Sequence, residues 1–212
     1  TAVNYTQALY NAKEYTKALD SLKELFSTYL QISTKIGQHP TAVLCTLAGD
    51  CCFNIKDMAH AKMALSDARR FFEIGDSHKE QMEGWEEEMS AFAYSRSGDV
   101  AFIEKNYREA TGYYQEAEKR WKRVTTAHVA YNRALVLYKE SVSLAKSGQL
   151  DSAESKANQL IAYLNENKNN EQVAKNRLNF LGKYANTLRE EGDWLASASR
   201  SIQIGLARLK DN

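Results

Sequence analysis

Five small side chains return along this 212-residue chain at a near-constant interval: Ala18, Ala61, Ala110, Ala153 and Ser197 stand 43, 49, 43 and 44 residues apart. Each closes the same short phrase of turn, large residue and small residue. Lys105-Asn106-Tyr107-Arg108-Glu109-Ala110 matches Lys13-Glu14-Tyr15-Thr16-Lys17-Ala18. Gly148-Gln149-Leu150-Asp151-Ser152-Ala153 repeats it with Leu, Gly192-Asp193-Trp194-Leu195-Ala196-Ser197 with Trp, and Lys56-Asp57-Met58-Ala59-His60-Ala61 with Met. Four and seven residues beyond the small residues come positions such as Leu22 and Leu25, Leu65 and Ala68, Tyr114 and Ala117, or Leu160, which share one face of a helix. A small residue there lets two helices approach closely, and the large residue just past the turn plugs their junction. A chain with this recurrence is a series of helical hairpins.

Composition agrees. One proline and ten glycines leave few helix breakers, and Ala, Leu, Glu, Lys, Arg and Gln are abundant helix formers. The apolar period and turn residues predict five helix pairs, at about 2–36, 41–74, 79–124, 126–165 and 171–209, forming a single domain over 1–212. The first pair ends at Gly37-Gln38-His39-Pro40, the second at Gly75-Asp76-Ser77, and the fourth at the polar run 165–170. Strand signals are absent.

Tyr94, Gly98, Ala101, Tyr107, Ala110, Tyr114 and Ala117 resemble one full tetratricopeptide repeat, and Leu137, Ser141, Leu144, Gly148, Leu150, Ala153 and Leu160 a second. Copies at Tyr15/Ala18, Gly49/Ala61 and Trp194/Ser197 are partial. The family repeat is about 34 residues long, so the longer interval here implies lengthened helices, similar to those of kinesin light chains and bacterial peptide-sensing regulators. The family's repeat-end proline is missing except at Pro40.

The resemblance implies an all-α, right-handed α-α superhelix of about five helix pairs. It also implies a concave groove, lined by each pair's first helix, that holds a peptide or partner helix. Carried over copy by copy, the groove positions are Thr46, Asp50, Phe53 and Asn54; Ser95, Asp99, Phe102 and Ile103; Tyr138, Val142 and Lys146; and Asn179, Asn186 and Arg189. The family's carboxylate clamp needs Lys and Asn at matched places, where this chain has Thr46, Asp50, Ser95 and Asp99. A terminal carboxylate is therefore not the expected guest. Asp50 and Asp99 beside Phe53 and Phe102 suit a peptide with a basic residue next to an apolar anchor. The competing reading puts both phenylalanines in the interhelix core and both aspartates in solvent. The groove reading expects Asp50→Arg with Asp99→Arg to weaken binding and leave circular dichroism unchanged.

Other chemistry has thinner support. Cys45, Cys51 and Cys52 near His39 and His60 lack the paired spacing of structural zinc and read as buried core thiols; an odd, clustered set is no disulfide framework and points to a reducing compartment. Glu83-Gly84-Trp85-Glu86-Glu87-Glu88 and Glu118-Lys119-Arg120-Trp121-Lys122-Arg123 are an acidic and a basic run, the second able in principle to stack on single-stranded nucleic acid. Against that stands the balance of 28 basic and 27 acidic residues, net +1. No phosphate loop, His-Glu-x-x-His or nucleophile elbow is present, so no enzyme activity, metal or cofactor is expected. The expectation is a cytoplasmic interaction scaffold or adaptor without a membrane span. Its alternatives are a peptide-sensing regulatory domain and a subunit of a nucleic-acid-associated complex. The apolar last helix, with Trp194, Ile202, Ile204, Leu206 and Leu209, points to a homodimer through the C-terminal helices.

Overall fold

A computed structural model describes residues 2–36, 38–78, 81–124, 129–192, 197, 200 and 201, without the side chains of 2–4 and 26–36. These residues are all-helical: α1 Ala2–Asn11, α2 Tyr15–Ile36, α3 Gln38–Asn54, α4 Met58–Ser77, α5 Gly84–Ile103, α6 Tyr107–Trp121, α7 Val129–Lys146, α8 Leu150–Glu166 and α9 Glu171–Glu190. The expected helix from Trp194 to Leu209 lies outside the described residues except for Ser197, Arg200 and Ser201.

The chain divides into two compact units, Thr1–Glu104 and Lys105–Asn212. In the first, α1 packs on α2, α2 on α3, α3 on α4, and α5 on both α3 and α4. In the second, α7 packs on α6, α8 and α9, and α9 also touches α8. Within each unit, then, a helix meets not only its neighbour in sequence but also the one two further on.

The recurrence read from the sequence has a backbone counterpart. Lys13, Lys56, Lys105, Gly148 and Gly192 all have positive φ, between 62° and 84°, and each stands five residues before its small residue. Leu9 and Tyr10 show how such a turn closes: their carbonyls accept from the amides of Glu14 and Lys13, both at 2.9 Å. Cys52 and Phe53 accept likewise from Asp57 and Lys56, and Leu144 and Ala145 from Gln149 and Gly148. This paired closure satisfies carbonyls that the helix end leaves open. Ala18, Ala61, Ala110 and Ala153 are fully buried, and Ser197 nearly so, its hydroxyl donating to the Ala185 carbonyl at 2.8 Å. Gly49 sets another close approach: a Cβ there would lie 2.6 Å from Leu65 Cγ, so α3 and α4 touch where only hydrogen fits.

At three helix ends the difference from the sequence reading has a local reason. Helix α3 starts at Gln38, ahead of the expected 41, because Pro40 sits in its first turn, where no amide donor is required. Helix α4 continues past Gly75 to Ser77: this glycine is not a terminator but a seat, since a Cβ would run into the buried His39 ring. Helix α5 begins at Gly84, not 79, where Glu83 and Glu86 form a capping box and Glu86 Oε2 accepts from the Glu83 amide at 2.9 Å.

Candidate functional site

The positions expected to line a groove converge, in the first unit, on a residue the sequence reading passed over. Arg96 on α5 places its Nε 2.5 Å from Asp50 Oδ1 on α3 and donates through Nη1 to Asp99 Oδ2 at 3.0 Å. Its guanidinium lies over Phe53 at 4.3 Å and near Phe92 at 5.2 Å from the ring centroids. Asp50 is 2% exposed. It also accepts from Tyr10 Oη of α1 at 2.6 Å and Asn54 Nδ2 at 3.0 Å. Burial pushes the Tyr10 phenol well above its ordinary value, and the Asp50 carboxylate pushes the same way. One carboxylate thus ties three helices together. Four of the sequence-derived positions, Asp50, Phe53, Asn54 and Asp99, meet there.

This geometry changes how those positions read. Asp50 is not a solvated charge awaiting a cation from a partner; Arg96 already occupies that place. Thr46 is fully buried and returns its hydroxyl to the Ala42 carbonyl at 2.8 Å, and Ser95 is buried too. Helix α3 is enclosed by α2, α4 and α5, so it buries residues on nearly every side, from His39 to Cys52. What stays partly accessible is Phe53, Asn54, Asp99 and Phe102, with Ile103 exposed.

The remaining positions belong to the second unit. Tyr138 stacks on Phe180 of α9 at 5.4 Å between centroids, and Tyr131 flanks the same ring at 6.0 Å. Val142 is buried. Lys146 lies 2.8 Å from both Glu190 and Glu191, which hold its ammonium up to about 12 by hydrogen bonding. Asn179, Asn186 and Arg189 are exposed along α9. In the same unit Arg133 covers Tyr163 at 4.7 Å and lies 3.1 Å from Glu118, while Lys156 lies 3.1 Å from the buried Glu140.

The three cysteines are buried free thiols, and burial raises each, Cys45 and Cys51 to about 12. Among the described residues, no group of His, Cys, Asp and Glu is placed to hold a metal, and no helix is long and apolar enough to cross a membrane. Trp121, proposed for stacking on nucleic acid, is 2% exposed, whereas Trp85 in the acidic run is 51% exposed. No protein-family model matches the chain, and no curated protein matches it at a significant level.

Proposed function

We propose that this chain is a tetratricopeptide-like array whose helix pairs stack in a right-handed α-α superhelix, and that it works as a protein–protein interaction scaffold. The observation that carries the reading is the common register: five turns place a left-handed residue five positions ahead of a buried small residue. A chain built of equivalent hairpins buries its core between neighbours and presents a broad preformed surface, so that binding costs little reorganisation. The half-buried Phe53, which lies under the Arg96 guanidinium, and the half-buried Phe102 offer apolar anchors on rigid helices.

The test is a pull-down with the intact chain, comparing Phe53→Ala with Phe102→Ala against the unmodified protein, both checked by circular dichroism. The scaffold reading expects one stoichiometric protein that the double variant no longer retains. Equal recovery by both proteins counts against it.

The nucleic-acid alternative fares unevenly. Trp121 is not available to stack, but the even charge of the whole chain hides a division: residues 105–212 carry 18 Lys and Arg against 12 Asp and Glu, and residues 1–104 carry 10 against 15. A salt-sensitive shift with single-stranded RNA would favour that alternative.

A further inference from the structure

A cleft of about 210 Å³ in the second unit is lined by α6, α7 and α8, and it shares no residue with the positions carried over as a groove. Leu137 of α7, 2% exposed, forms its floor, and Ala162 and Tyr163 of α8 make an apolar wall. Arg133 already covers the Tyr163 ring at 4.7 Å, so the ring bounds the space and is not a platform for a guest. The volume falls below the roughly 300–1,000 Å³ of sites for drug-sized ligands. A guest here is no larger than a single amino acid.

The charges around this cleft sum to zero but are unevenly matched. Glu118 of α6, itself buried, takes two cations on one carboxylate: Arg133 Nε and Nη2 each stand 3.1 Å from Oε1, and Lys122 Nζ stands 2.7 Å from Oε2. That leaves one positive charge in excess, beside the exposed Lys122, and the shared carboxylate already holds both cations in place. On α8 the balance is reversed. Glu166 lines the same cleft, is exposed, and makes no ion pair among the described residues. Burial raises the Tyr163 phenol, Arg133 offsets this in part, and the charge of Glu166 adds to it, which sets that carboxylate near the ring. Gln159, one turn back along α8, adds a neutral donor and acceptor. A simple anion would meet Glu166, and a simple cation would meet Lys122 and Arg133; a zwitterion satisfies both.

We infer that this cleft binds a free aliphatic amino acid, with its carboxylate on Lys122 and Arg133, its ammonium on Glu166 and its side chain against Leu137 and Ala162. The site is independent of the scaffold reading, and neither depends on the other.

The experiment titrates the intact chain calorimetrically with alanine, valine and leucine, and with two leucine analogues that each lack one charge. Isoamylamine has no carboxylate, and isocaproate has no ammonium. At least one amino acid is expected to bind, and leucine to bind at least tenfold more tightly than either analogue. Two variants, checked by circular dichroism, then divide the charges. Glu166→Gln should weaken leucine at least tenfold and leave isocaproate no weaker. Lys122→Gln, which leaves Glu118 with Arg133 alone, should weaken leucine likewise and leave isoamylamine no weaker. The analogues are compared on the unmodified protein, so that result stands even where a variant fails to fold. Absence of binding by all three amino acids overturns the site. So does a single-charge analogue that matches leucine, or a leucine affinity indifferent to either substitution.

Discussion

Lys56 holds in its turn the place that Gly148 holds in another: φ is 70° at the lysine and 78° at the glycine, and both stand five residues before a buried alanine. A left-handed backbone costs an L-residue with a Cβ roughly 1–2 kcal/mol, and glycine returns part of that through the larger freedom of its unfolded chain. Lys56→Gly is therefore expected to be neutral or to stabilise by about 0.5 kcal/mol, although Lys56 also reaches over the Phe53 ring at 5.8 Å. Gly148→Ala is expected to destabilise by about 1 kcal/mol; nothing crowds its Cβ position, so the whole loss comes from the backbone. Urea unfolding of the two variants checks the opposite signs. The reverse order would mean that the shared backbone geometry does not set these turns.

The buried thiols give a second expectation. A thiolate is the reactive form, and burial holds Cys45 and Cys51 up to about 12, with Cys52 raised as well. At pH 8 all three are expected to resist a disulfide-exchange reagent in the native protein and to react fully in denaturant. Fast native reaction of even one thiol would contradict the enclosed placement of α3.

Glu140 gives the chain a pH dependence of definite sign. It is 1% exposed on α7, with Lys156 of α8 beside it and Gln115 and Glu118 facing it from α6. Burial raises its carboxyl above the usual range, and Lys156 only partly offsets this. A raised folded value means that the folded state holds the proton more tightly. Stability from this group is then complete below its unfolded value and is lost as pH rises through the folded one. Glu140→Gln keeps the shape and removes the titration, leaving Lys156 near enough to the surface to turn towards water. The variant's Tm relative to the unmodified protein should be higher at pH 7.5 than at pH 4, where the two converge. A difference that grows on acidification would reverse the assignment.

The hairpins were legible in the sequence because their determinants are local. A small residue, a plug and a turn lie within six positions, and Ala18, Ala61, Ala110 and Ala153 are buried where that phrase places them. Gly75 was misread for the same reason: its signal is local, but its cause, the His39 ring, is 36 residues away. Thr46 and Asp50, read as groove positions, are buried, because a helix enclosed by three others has no single polar face to read. Arg96 left almost no trace. One arginine in a helix is unremarkable until α3 brings Asp50 and Phe53 against it, and only the spacing of Asp50 and Asp99 in successive first helices hinted at a shared cation.

The Asp50–Arg96 pair makes the last expectation and alters the design of a binding test. Asp50→Arg would set a second cation beside Arg96 in a buried position, so it should disturb folding rather than isolate a binding contribution. A double-mutant cycle separates the two. Arg96→Met keeps an unbranched apolar side chain but removes the guanidinium that lies over Phe53 and Phe92, leaving the buried Asp50 carboxylate without its cation; breaking such a pair costs about 3–5 kcal/mol. The Tyr10 and Asn54 donors and the 20% exposure of the Arg96 side chain should place this case nearer about 2 kcal/mol. Asp50→Asn removes the charge but can still accept both hydrogen bonds, and Arg96 retains Asp99. If the pair joins α3 to α5, the double variant is less destabilised than the sum of the single ones, by about 1–3 kcal/mol. Additivity to within about 0.5 kcal/mol would show that the charge between Asp50 and Arg96 does not join α3 to α5.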